Sequence, residues 1–185
     1  NEHDVNLCSS EGVVIRIAKR CYIVDYASMR TYDNEQVWGV INAKGEEILP
    51  IMYRCIDISD THDMFSVQQL RPFYEYGVRG LYNKELIPFG KFHKISSFVK
   101  GFARINYENQ AIIDFQGNVI IPADLFDEIW CPNEKYDSIV CVKGIRCYPI
   151  SYETLRLLRQ EYITTGKIKK SIEDIWEYQK MNSNL

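Results

Sequence analysis

Metal-ligand patterns, nucleophile motifs, long apolar runs and a basic surplus are all missing from this sequence, and each absence excludes a class of function. Only three histidines occur, His3, His62 and His93, and none has a second His or Cys at ligand spacing. The six cysteines (Cys8, Cys21, Cys55, Cys131, Cys141 and Cys147) form no Cys-x-x-Cys pair, and the closest two lie six residues apart. Zinc needs four ligands converging at short spacings, so no metal is assigned. An even cysteine count permits disulfides, but spacing fixes no pairing. Buried reduced thiols are the simpler reading and tilt the expectation towards a cytoplasmic rather than an exported protein. The chain begins at Asn1 rather than Met, so the lack of a signal peptide says nothing of compartment.

No apolar run approaches the roughly 20 residues that cross a bilayer. There is no G-x-S-x-G, no phosphate loop and no dinucleotide fingerprint, so no catalytic residue and no cofactor is assigned, and the expectation is a protein that is not an enzyme. The net charge of −3 argues against a polyanion binder. The nearest thing to a basic patch, Lys91, Lys94, Lys100 and Arg104, is interleaved with Phe92, Phe98 and Phe102, as in half-buried strands whose lysines are solvated. Asp57, Ser59 and Thr61 mimic the first three ligands of a calcium loop. His62 then stands where the turn needs Gly, and Gln68 where the last ligand should be Glu. That segment reads as a solvated loop.

What is present is aromatic and repetitive. Thirteen Tyr residues lean the composition towards half-buried strands. Trp38-Gly39-Val40-Ile41-Asn42-Ala43-Lys44-Gly45-Glu46-Glu47-Ile48-Leu49-Pro50 is followed by Tyr53 and Ile56. A second pass reads Arg79-Gly80-Leu81-Tyr82-Asn83-Lys84-Glu85-Leu86-Ile87-Pro88, then Phe92 and Ile95. A third runs from Gln110 to Pro122, then Phe126 and Ile129. Each unit is an apolar strand ending at Asn or Asp, a turn, an apolar return strand and a proline. In copies one and three a Gly follows the Asx by three positions, which fits a type I turn closed by a left-handed Gly. The second copy reads as having lost three residues and that Gly, giving a tighter turn. Proline cannot donate to a sheet ladder, so it marks a strand end or an edge. An aromatic-x-x-Ile element and one further strand complete each unit. Arg16-Ile17 and Tyr22–Tyr26 read as a degenerate copy ahead of these.

This pattern resembles the WG repeat family, whose Trp-Gly survives here as Trp38-Gly39. The resemblance implies a tandem β-hairpin architecture with an interaction role and no shared catalytic residues. From Ser151 the period changes. Leu155, Leu158 and Tyr162 share a helical face, Gly166 breaks the run, and Ile168, Ile172, Ile175 and Trp176 suggest a second helix with Ser171 and Asp174 as a capping pair. The expected fold is mainly β: residues 1–150 form tandem β-hairpin repeats, three clear copies plus the degenerate N-terminal one. Residues 151–185 form two short C-terminal helices that cap the array and hide an unpaired sheet edge.

The expected function is a non-catalytic module that binds a protein partner through the repeat surface. Carbohydrate or cell-envelope ligand binding and service as an accessory domain of an enzyme are the alternatives. Phe73, Tyr74 and Tyr76, an aromatic cluster between the first and second copies, are the ligand-binding candidates, because exposed rings can stack on a sugar or on a partner's apolar side chain.

Overall fold

The computed structural model describes the backbone of residues 3–9, 12–25 and 30–36, and backbone and side chains of 37–42, 44–61, 63–70, 74–106, 109–169 and 171–182. The chain divides into two compact units, Asn1–His93 and Lys94–Leu185.

The first unit holds two four-stranded antiparallel sheets in plain meander order. One contains β1 (His3–Ser9), β2 (Gly12–Asp25), β3 (Arg30–Ile41) and β4 (Glu47–Tyr53), and the other β5 (Cys55–Ile58), β6 (Met64–Gln68), β7 (Tyr76–Gly80) and β8 (Glu85–Phe92). The second unit holds β9 (Phe102–Ile105), β10 (Ala111–Asp114) and β11 (Val119–Ile121) in one sheet, and β12 (Glu128–Ile129), β13 (Ser138–Lys143) and β14 (Arg146–Ser151) in another. Helices α1 (Tyr152–Thr165) and α2 (Ile172–Asn182) follow. The fold is mainly β, as expected, and among the described residues no sheet closes into a barrel.

The hairpins are three copies of one object. Val40 pairs with Leu49, Val78 with Ile87 and Ile112 with Ile121. Around each turn one N–H donates back to the carbonyl four residues on: Asn42 to Glu46 (3.0 Å), Gly80 to Lys84 (2.7 Å) and Asp114 to Asn118 (3.0 Å). This register corrects the reading of the second copy. It begins at Tyr76-Gly77, not Arg79-Gly80, and nothing has been deleted; by strand register Tyr76–Pro88 aligns with Trp38–Pro50 without a gap. Asn83 stands where Gly45 and Gly117 stand, and all three have positive φ (59°, 83° and 76°). Asn tolerates the left-handed region better than other side chains, and here Tyr53 Oη donates to its Oδ1 at 2.6 Å.

The turn chemistry of copies one and three follows the sequence logic. Asn42 Oδ1 accepts the N–H groups of Lys44 and Glu46, and Asp114 Oδ1 accepts those of Gln116 and Asn118. Gly80 has no side chain to do this. The second turn therefore moves one residue on, with Lys84 N–H donating to Leu81 O and both Tyr82 and Asn83 left-handed.

The aromatic-x-x-Ile element does not close its own repeat. Its Ile opens the next sheet: Ile56 pairs with Val67 and Val67 with Gly77, Ile95 with Ile105 and Ile105 with Ala111, Ile129 with Cys141 and Cys141 with Tyr148. Each sheet is thus the second half of one sequence repeat joined to the first half of the next. At the N-terminus the same ladder runs His3, Ile17, Gly39. The expected degenerate copy is there in part: Arg16 and Ile17 sit like Arg104 and Ile105. Residues 22–25, however, form no hairpin of the repeat type; they extend a long β2–β3 ribbon that reaches the Asp25–Arg30 pair. Tyr26 lies outside the described residues.

The first core gathers Val40, Leu49, Tyr53, Ile56, Phe65 and Val67. The second gathers Phe102, Ile112, Ile121, Phe126, Ile129 and Ile139 with Tyr152, Leu155, Leu158 and Ile175 from the helices. Each such side chain contributes about 1.5–3 kcal/mol by leaving water. Ser151 caps α1 by accepting the Thr154 N–H at 3.0 Å, and Gly166 ends it in the left-handed conformation. Ser171 accepts the Asp174 N–H, so α2 starts at Ile172 and Ile168 lies in the connector rather than on the helix.

Candidate partner-binding surface

Of the three aromatic candidates, Phe73 lies outside the described residues. Tyr74 is half-buried with φ 50°. Its carbonyl accepts from Gln68 Nε2 (3.1 Å), Gln68 Oε1 accepts from Arg54 (3.0 Å), and the Arg54 guanidinium lies 4.7 Å from the Tyr74 ring centroid. One ring face of Tyr74 is therefore taken by a cation–π contact. Tyr76 is half-buried in β7, paired with Gln68 and Phe92 at the position Trp38 holds in the first copy. This pair braces the β6–β7 connection.

Larger exposed aromatics stand elsewhere. Trp130 is 52% exposed and Tyr136 64%, both on the loop between β12 and β13. That loop is held at each end. Trp130 N–H donates to Val140 O (2.9 Å) and Tyr152 N–H to Asp137 O (3.0 Å), and Asn133 organises the middle by accepting from Lys135 and Tyr136. Lys100 Nζ reaches Asp137 at 2.7 Å; this hydrogen bond, with the cation's charge, lowers the Asp137 carboxyl below its ordinary value. A signal for Trp130 existed in the sequence. It follows the buried Ile129, and strand alternation puts the next side chain on the opposite face.

Two members of the basic cluster, Lys100 and Arg104, are engaged in packing. Arg104 donates to Ile129 O at 2.7 Å, and Lys100 also lies over the Tyr152 ring, while Phe98 and Phe102 are buried. In the polar loop Ser59 is buried and its hydroxyl meets Thr61, which hydrogen-bonds Asp63; His62 lies outside the described residues. Among the described residues, no three His, Cys, Asp or Glu side chains converge as a metal would need.

The model described as WG containing repeat matches residues 38–54 and 83–110. The chain carries WG repeats in these two segments. No curated protein and no solved structure matches it.

The Gly of the WG pair has a steric reason here. Past Leu49 the return strand bulges, so that Val40 pairs with Leu49 but Trp38 with Tyr53. The bulge crosses directly over Gly39. A Cβ there would lie 2.8 Å from Leu49 O and 2.9 Å from Ile51 Cα. At Gly77 it would meet Phe89 at 3.0 Å and Ile87 O at 3.1 Å. The third copy carries Ala111 at this place, and its return strand β11 ends at Ile121.

The thiols divide by environment. Burial pushes Cys141 up to about 12, whereas Cys131 and Cys147 are exposed. The thiolate is the reactive form. In the folded protein at pH 8, a maleimide will label Cys131 and Cys147 and leave Cys141 unmodified until denaturant is added. Peptide mass mapping before and after unfolding checks this.

Proposed function

We propose that this WG-repeat protein is a non-catalytic protein-interaction module and that Trp130 and Tyr136 form the centre of its partner surface. The observation that carries the reading is the exposure of both rings on a loop whose ends are pinned by backbone and ion-pair contacts. Rigid, exposed aromatics lose little conformational entropy on binding and are over-represented among residues that dominate interface energetics. Asp127 and Asp137, the described carboxyls held below their ordinary values, are engaged by the Gly144 N–H with Lys143 and by Lys100, respectively, which supports a structural use. Sugar stacking on Tyr74 is disfavoured by the guanidinium already on that ring.

The test is quantitative. Partners are captured from the native cells with the wild-type chain, the best one is purified, and its affinity is measured against Trp130→Ala and Tyr136→Ala. Removal of a central aromatic costs 2 kcal/mol or more at such positions, so a weakening of roughly 30-fold or more is expected. Unchanged affinity in both variants would rule out this surface, and a glycan array that retains ligands would move the reading to carbohydrate.

A further inference from the structure

The last sheet stops one strand short, and a side chain stands in for the missing strand. By register, Pro149 occupies the place of Val40, Val78 and Ile112, and Ser151 that of Asn42, Gly80 and Asp114. In those three hairpins the N–H of the second residue donates to a carbonyl of the returning chain. Ser151 instead enters α1, because Thr154 stands where the left-handed Gly or Asn would have to be and a β-branched residue resists that conformation. Its N–H donates to Gln179 Oε1 on α2 at 2.9 Å, and Gln179 Nε2 donates to Pro149 O at 3.0 Å. One amide group thus takes both backbone positions that a fourth strand would use.

We propose that the outer edge of β14 is a docking site for an extended peptide strand, and that α2 holds this edge closed until such a strand replaces Gln179. The chemistry of the peptide follows from the three strands that fill the equivalent place. They read Ile48-Leu49-Pro50, Leu86-Ile87-Pro88 and Ile120-Ile121-Pro122, an apolar pair followed by proline. The residue opposite the Pro149 position, Leu49, Ile87 or Ile121, is completely buried in each. A docking strand of this pattern lays its branched aliphatic residue beside Pro149, which is exposed in the free chain, and gains main-chain hydrogen bonds with Pro149 O and Ser151 N. Pro149 marks β14 as an edge strand and offers no N–H to that side, so the docking strand bonds Pro149 through its carbonyl alone. Helix α2 is the element able to yield. Its one fully buried residue is Ile175, whereas α1 buries Tyr152, Thr154, Leu155 and Leu158.

The experiment uses the full chain, its Gln179→Leu variant and a synthetic peptide with the sequence of residues 117–123, Gly-Asn-Val-Ile-Ile-Pro-Ala. Leucine removes these two hydrogen bonds, and the one that Gln179 Oε1 accepts from Thr154 Oγ1 (3.1 Å), at similar volume. Gln179→Glu, which keeps an acceptor but cannot donate to Pro149 O, serves if the leucine variant unfolds. The variant is expected to bind the peptide at least tenfold tighter than the wild type. Amide exchange at Ser151 should be fast in the free variant and slow again with peptide, while protection across α2 falls. Equal affinity for both proteins, no binding by either variant, or binding that leaves Ser151 and α2 exchange unchanged would each overturn the proposal. These readouts do not involve Trp130 or Tyr136, so failure here leaves the partner surface standing.

Discussion

Replacing Arg159 by Leu will lower the stability of the second unit by about 3 kcal/mol, the cost of leaving a buried carboxylate without its cation. Asp114 is completely buried, and Arg159 on α1 donates through Nε to its Oδ2 at 2.8 Å while lying over the Phe115 ring. The lower end of the range applies, because three donors remain on the carboxylate: the N–H groups of Gln116 and Asn118 and the Asn118 amide. The first hairpin shows what the turn itself needs. Asn42 makes the same two backbone bonds with no charge at all. The double variant Asp114→Asn/Arg159→Leu is therefore expected to recover to within about 1 kcal/mol of wild type, since replacing a buried pair by neutral groups is often nearly neutral. Urea unfolding of the two single variants and the double variant gives the coupling energy. A double variant as unstable as Arg159→Leu would mean that the ion pair tethers α1 by more than charge compensation.

Gly39→Ala is expected to cost about 2 kcal/mol by overpacking, because two of the three nearest atoms that a Cβ would strike, Leu49 O and Ile51 Cα, belong to the backbone of β4 and cannot rotate away. The reverse exchange in the third repeat, Ala111→Gly, should cost less than about 1 kcal/mol, the entropic penalty of glycine in a strand. Denaturation of each variant, read on the transition of its own unit, tests the pair. Equal losses would show that the Gly of the Trp-Gly pair serves backbone conformation rather than the close approach of the bulged strand.

Much of the repeat was legible because its turns are local chemistry. An Asx side chain bonding its own turn and a Gly at positive φ leave a four-residue trace, and Asn42–Gly45 and Asp114–Gly117 carry it. The second copy is hidden by the same locality. Asn83 fills the left-handed place there and Gly80 the Asx place, so a search for an Asx turn head settles on Asn83 and slips three residues. The equal spacing from Trp38 to Tyr76 and from Pro50 to Pro88 was the signal that settles the register. Of the candidate site, Tyr74 and Tyr76 were visible as a cluster of rings. That Arg54 would cover one of them was not visible, since Arg54 is twenty residues away and reaches it through the sheet. The helices were legible in their caps, Ser151, Gly166 and Ser171, and less so in extent, as Ile168 shows.

By itself, then, the sequence determined the hairpins: where each strand turns, which residue must take the left-handed conformation, and where proline ends the ladder. These depend on the dihedral preferences and side-chain bonds of neighbouring residues. Only the tertiary structure decided that the aromatic-x-x-Ile element starts the next sheet, that the final hairpin is aborted at Ser151, and that Gln179 takes the place of its return strand. Those outcomes turn on which distant backbone group satisfies which, and a hydrogen bond across twenty-eight residues leaves no pattern in the residues between.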